Sequence, residues 1–156
     1  METFERFIFT ELSDQSVIDM TETFDGEGYI HQRGDYCYLD IDDRYIHKIH
    51  PMLAQYGCVE KPDYFSVSDG IGAHISVIYP EEMVKVLPSS VGQKHVFSVC
   101  ALVKVQYGLK EYFVISVTSP SLSAFRQIHY LSPRPIWKGQ EIVFHITIGV
   151  RTILWH

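Results

Sequence analysis

His74-Ile75-Ser76 and His145-Ile146-Thr147 share one pattern of imidazole, isoleucine and hydroxyl. Each lies in a run of apolar and β-branched residues, Ala73 to Tyr79 and Ile142 to Val150, which predicts a strand. Side chains alternate across a strand, so His74 shares a face with Ser76, and His145 with Thr147. The isoleucines anchor the opposite face. This grouping suits phosphodiester hydrolysis. A base must deprotonate the attacking oxygen and an acid must protonate the departing one. Two imidazoles can divide those roles, because histidine exists in both forms near neutral pH. The Ser76 and Thr147 hydroxyls can donate to the non-bridging oxygens, whose charge changes at the transition state. The scheme calls for no metal and no other cofactor.

The triplet alone is weak evidence. With 8 His in the chain, chance placement yields roughly one His-x-Ser/Thr. Context adds the weight: both copies sit on strand-like runs, both have Ile in the middle, and each follows a helical segment. On these motifs the chain resembles the two-histidine phosphoesterase superfamily, which includes RNA 2′,3′-cyclic phosphodiesterases, bacterial 2′-5′ RNA ligase-like proteins and 2′,5′-phosphodiesterases. The resemblance runs from Tyr36 to Arg151. It implies a bilobal α+β fold, with two pseudo-symmetric antiparallel sheet lobes forming a central cleft and helices packed outside. It implies His74 and His145 as the acid–base pair and Ser76 and Thr147 as phosphate binders. The implied reaction opens a 2′,3′-cyclic phosphate or a 2′,5′-phosphodiester of a nucleotide or RNA end.

Other residues are candidates with plainer readings beside them. Arg151 continues the odd-numbered face of His145 and Thr147, so its guanidinium could reach a phosphate; a solvated strand end is the alternative. Gly149 could leave room for a ligand. Tyr79 alternates to the face opposite His74 and reads as core unless Pro80 bends the strand. Lys85, Lys94, Arg126 and Arg134 are candidate rim cations or solvated surface. His47 and His50 have a spacing that can bind metal, but no acidic residue completes a recognised motif. His31, His95, His129 and His156 have no identifiable partners. Two further hypotheses remain: a nucleotide- or RNA-end-binding module without turnover, and a hydrolase with His74 and His145 as metal ligands.

The elements that must position these residues alternate between strand and helix. Ser13 and Asp14 cap a short helix through Met20. Tyr36 to Ile41 reads as a strand, and Asp42-Asp43 starts a helix from Arg44 to Tyr56 that ends at Gly57. His95 to Tyr107 reads as one long strand, with a hairpin at Gly108 to Lys110 and a return over Tyr112 to Val117. A helix over Ser119 to Leu131 has Pro120 at its first position. Trp137 to Gln140 then turns into the last strand. This order fits α+β. Residues 1–156 read as a single domain, with 1–34 as an acidic N-terminal extension packed on it.

The net charge of -6 and pI near 5.7 argue against a basic track for long duplex nucleic acid. A small nucleotide or strand end is the expected partner, and a monomer the default. Cys37, Cys58 and Cys100 are odd in number and widely spaced, so reduced, mostly packed thiols are expected. Without an apolar leader or a membrane-length apolar run, the expectation is a soluble cytoplasmic protein with no membrane partner.

Overall fold

A computed structural model of the chain describes residues 7–62, 64 and 70–153. Its elements are β1 (Phe7–Leu12), α1 (Gln15–Thr21), β2 (Glu27–Arg33), β3 (Tyr36–Asp40), α2 (Arg44–His47), β4 (His74–Ile78), β5 (Lys94–Val96), β6 (Ser98–Tyr107), β7 (Lys110–Thr118), α3 (Pro120–Ile128), β8 (Ile136–Trp137), β9 (Gln140–Glu141) and β10 (His145–Thr152). Eight strands form one antiparallel sheet in the order β1-β6-β7-β10-β4-β3-β2-β5, while β8 and β9 make a separate small hairpin. The fold is α+β. Among the described residues no helix is long and apolar enough to cross a membrane.

The two histidine strands are neighbours at the middle of the sheet, with three further strands on either side. The same connection delivers each of them. A hairpin (β2–β3 or β6–β7) leads through a helix (α2 or α3) into β4 or β10, which docks antiparallel on the hairpin's second strand. The expected two lobes are thus two halves of one continuous sheet. Helices cover one face, where Ile75, Ile146, Ile115 and Leu102 pack with Ile46, Leu53, Leu122 and Phe125. Burying such side chains contributes about 1.5–3 kcal/mol each.

The caps behave as local chemistry dictates. Asp14 accepts from the Val17 amide at 3.2 Å at the start of α1, and Ser119 accepts from the Leu122 amide at 3.2 Å at the start of α3. The helix expected from Arg44 to Tyr56 is broken. α2 ends at His47, and a 3₁₀ segment, His50–Tyr56, follows. Pro51 has no N–H for the His47 carbonyl, and its ring clashes there, so the α-helix cannot continue.

The run from His95 to Tyr107 is also two strands. Phe97 leaves the pleat, its amide donating to the Gly26 carbonyl at 2.9 Å and its ring buried. β5 before it pairs with β2 at one edge of the sheet, whereas β6 after it pairs with β1 and β7 in the other half. Residues 7–33, expected within an extension packed on the domain, supply β1 and β2 to the sheet itself. β1 is an edge strand exposed along most of its length, which is why it lacks an alternating pattern. Cys37 alone of the thiols is packed, and burial pushes it up to about 12; Cys58 and Cys100 are exposed. His156, Trp155 and the stretch 65–69 lie outside the described residues.

Candidate active site

β10 meets β4 at one residue pair, Ile146 opposite Ile75. Antiparallel register then sets Thr147 beside His74 and His145 beside Ser76, all on the face opposite the isoleucines. The histidines become diagonal neighbours, a relation in which residues lie about 7–8 Å apart and their Cβ atoms somewhat closer. The adjoining strands extend both rows: Asp40 opposite His74 and Tyr38 opposite Ser76 on β3, Ser116 opposite His145 and Val114 opposite Thr147 on β7. Two motifs 71 residues apart in sequence are thus assembled by a single strand pairing.

Both imidazoles are fixed in the same way. His74 Nδ1 lies 2.7 Å from the Gly72 carbonyl, and His145 Nδ1 lies 3.0 Å from the Val143 carbonyl. A carbonyl oxygen only accepts, so each Nδ1 carries a proton and each Nε2 is left for a ligand. Gly72 makes the first contact possible. Its φ of +74° lies in the left-handed region, and a Cβ there would sit 2.6 Å from Asp43 Oδ1. That carboxylate is occupied in accepting the Ala73 amide at 3.0 Å.

Electrostatics favour neutral imidazoles in the unliganded protein. Burial lowers His74 to about 4, opposed by its bond to Gly72 and reinforced by the nearby His145. Burial also lowers His145, opposed by its bond to Val143. A proton on one ring therefore disfavours a proton on the other. A bound anion between them reverses this, because an opposite charge within a few ångströms favours the cationic form.

The hydroxyls are built into an aromatic surround. Ser76 Oγ is hydrogen-bonded to the Tyr36 hydroxyl and also meets the Tyr79 hydroxyl. Burial raises both phenols, Tyr36 well above the ordinary range and Tyr79 to about 12. A phenol that stays protonated can donate to Ser76, leaving the serine proton free for a ligand. On the other side, the Tyr64 hydroxyl donates to the Thr147 carbonyl, and its ring stands edge-on to His74 at 4.6 Å.

A cleft of about 520 Å³ opens beside His145, Ser76 and Thr147, walled by Phe7, Val103, Val114, Tyr79, Trp137 and Ile142 among others. Sequence patterning missed most of these walls. Tyr79 enters the cleft because the strand ends at Ile78 and Pro80 starts a 3₁₀ turn, the bend that alternation alone does not contain. Its ring stacks near Trp137, centroids 6.2 Å apart. Phe7 and Phe9 come from β1, too exposed to read as part of any core.

The structure separates the remaining candidates from the site. Arg151 was expected on the His145 face, but β10 has a bulge between Thr147 and Gly149. One extra residue reverses the alternation, so Arg151 lies on the other face. There Nε donates to Glu111 at 3.1 Å and the guanidinium packs 5.2 Å from the Phe113 ring centroid. Gly149 offers no ligand space, since a Cβ would meet Val59 at 2.4 Å. Arg126 is fully buried, paired with Glu82 and donating to the Val77 carbonyl at 2.7 Å. Lys94 pairs with Glu27. Lys85 and Arg134 are exposed. His50 Nε2 meets the Val59 carbonyl at 2.8 Å, and His129 bridges Phe125 and Leu87. His95 meets Ser121, and His31 lies 3.8 Å from Asp40. Among the described residues no three of His, Cys, Asp and Glu gather as a metal-binding group.

Comparison with protein families matches residues 37–156 to the family described as Swiss Army Knife, 2H phosphoesterase domain. No match to a curated protein or to a solved structure was found.

Proposed function

The chain belongs to the 2H phosphoesterase family, and on that footing we propose that it is a metal-independent phosphodiesterase acting on a 2′,3′-cyclic phosphate or 2′,5′-phosphodiester of a nucleotide or short RNA end. His74 and His145 form the acid–base pair, and Ser76 and Thr147 hold the non-bridging oxygens. One Nε2 takes the proton of an attacking water, and the other gives a proton to the departing oxygen. The observation that carries this reading is the matched restraint of the two rings. Both Nδ1 atoms are committed to carbonyls, and strand pairing puts both histidines and both hydroxyls on one sheet face.

The acidic charge of -6 and the lack of Lys or Arg among the described cleft-lining residues support a small substrate over long duplex nucleic acid. A histidine with Nδ1 on a carbonyl is also the geometry of a metal ligand, so the metal hydrolase is the reading to test against. Against it, Asp40 across from His74 lies 3.8 Å from His31, and the groups bonded to Ser76 and packed on His74 are phenols. Turnover of a nucleoside 2′,3′-cyclic phosphate, before and after chelation, decides. Activity that survives chelation and falls about 10²–10⁴-fold in His74→Ala and in His145→Ala is expected. Full activity in both variants, or activity restored only by added metal, overturns it.

A further inference from the structure

The site is lopsided about its two histidines. His145 opens onto the cleft of about 520 Å³. His74 is not part of that lining and is boxed by rings, with Tyr64 at 4.6 Å, Tyr38 at 5.6 Å and Tyr36 at 6.0 Å, all edge-on. The Tyr64 hydroxyl, bonded to the Thr147 carbonyl, closes this side further. The cleft therefore lies on the His145 side of the pair, and the His74 side is walled by rings. An in-line displacement puts the attacking and leaving oxygens on opposite sides of phosphorus, so the two sides of the pair must divide them.

The cleft also has a distinct chemistry. Its floor is branched and apolar, with Val105, Val114 and Ile142 nearly buried. Among its described lining residues the one charged side chain is Glu11, opposite Val103 in the β1–β6 register. Lys138 stands outside, its ammonium 4.6 Å from the Tyr107 ring centroid and 5.4 Å from that of Trp137. A further phosphate carried into this compartment would meet a carboxylate and no cation. A mostly apolar pocket with a few polar groups at one end selects an uncharged arm by burial and a reacting group by hydrogen bonds.

Resting on the phosphodiesterase reading above, we propose that His74 activates water on the ring-walled side and that His145 protonates a leaving oxygen whose arm is uncharged and largely apolar and sits among Val103, Val105, Val114, Ile142 and Trp137. Water oxygen attacks phosphorus as its proton passes to His74 Nε2. The bond from phosphorus to the arm's oxygen breaks, that oxygen keeps the electron pair, and it takes the proton from His145 Nε2. The product is a phosphomonoester with the arm's hydroxyl freed, or still attached through a second ester when the substrate is cyclic. His74 ends cationic and His145 neutral, and exchange of one proton with water resets the pair.

Three substrates test this on the whole chain: a nucleoside 2′,3′-cyclic phosphate with a free 5′-hydroxyl, the same compound with a 5′-phosphate, and methyl p-nitrophenyl phosphate. The 5′-phosphate should lower kcat/KM by about tenfold or more through like-charge repulsion, and Val103→Lys should narrow that gap. Nitrophenolate departs without a proton, so on the aryl ester His145→Ala should lose far less activity than His74→Ala, whereas on the cyclic nucleotide both should fail. Preference for the cyclic nucleotide assigns the compartment to a nucleoside. Preference for the aryl ester assigns it to a non-nucleotide arm of the same chemistry. Equal or better turnover of the 5′-phosphorylated compound overturns the uncharged arm. Rescue of His74→Ala rather than His145→Ala overturns the division of roles. These outcomes leave the phosphodiesterase reading standing. Loss of that reading shows differently, as no hydrolysis of any of the three by the unaltered protein, and removes this proposal with it.

Discussion

His74 and His145 hold the same bond: each Nδ1 donates to the carbonyl two residues upstream in its own chain, Gly72 and Val143. The restraint comes from local backbone and not from a carboxylate partner. It sets tautomer and ring direction without adding a negative charge that would raise basicity. Burial therefore prevails, and both rings sit below the ordinary histidine value.

A pH profile follows from those directions. Catalysis needs one ring protonated and one neutral. A lowered value keeps a ring neutral above it, so the protonated partner is lost as pH rises, earlier than for ordinary histidine. The kcat/KM profile, which reports the free protein, should be a bell with its maximum on the acid side of about 6.5. The kcat profile should move toward higher pH, because the bound anion favours the cationic ring. A kcat/KM maximum well above neutrality contradicts the assignment.

The Tyr36–Ser76 bond predicts a graded loss. Tyr36→Phe removes the phenol hydroxyl bonded to the serine hydroxyl while keeping the ring. Losing one such hydrogen bond costs about 0.5–1.5 kcal/mol. The expected result is a kcat reduced by about two- to tenfold with a smaller effect on KM, and a larger kcat loss in Ser76→Ala. If Tyr36→Phe turns over normally, the phenol has no part in holding the serine.

Stability should depend on pH through His74. Unfolded, the ring titrates near 6.5; folded, burial lowers it to about 4. Between these values the unfolded chain binds the proton and the folded chain does not. Stability is thus complete above pH 6.5 and falls as pH drops toward 4, at up to about 1.4 kcal/mol per unit. Urea melts at pH 7.5 and pH 5 should show this decline, and His74→Asn should flatten part of it. An unchanged slope in the variant assigns the pH dependence to other groups.

Legibility followed the range of the interaction that sets each feature. The two motifs, the Asp14 and Ser119 caps and the hairpin at Gly108 are local, and patterning finds them. The alternation that grouped His74 with Ser76 and His145 with Thr147 matches the face on which strand pairing sets them. The same alternation failed at Arg151, because a bulge at Ile148 is invisible in residue types. It failed at Tyr79, where the strand stops short, and at Phe97, where one apolar run serves both halves of the sheet. The cleft walls from β1 were missed because an exposed edge strand has no pattern to read. Arg126 looked like a rim cation, since a buried guanidinium cannot be recognised until its partner Glu82 is located.

That partner carries the last prediction. Arg126 and Glu82 are both buried and meet through two contacts, at 2.5 Å and 2.9 Å. Glu82 also accepts from the Tyr79 amide at 2.9 Å and the Ile136 amide at 3.3 Å, while Arg126 donates to the carbonyls of Val77 at 2.7 Å and Ser132 at 2.8 Å. The pair thus ties the end of β4 to the segment bearing Trp137, the two places from which Tyr79 and Trp137 enter the cleft. Arg126→Met strands a buried carboxylate and should destabilise the fold by about 3–5 kcal/mol. Glu82→Gln keeps the side-chain shape but leaves the fully buried guanidinium without its counter-charge, so a loss of similar size is expected. Its kinetic effect should fall mainly on KM, because Tyr79 and Trp137 wall the cleft while the histidines keep their own carbonyls. A Glu82→Gln protein with lowered kcat and unchanged KM would place the clamp's influence on the histidines instead.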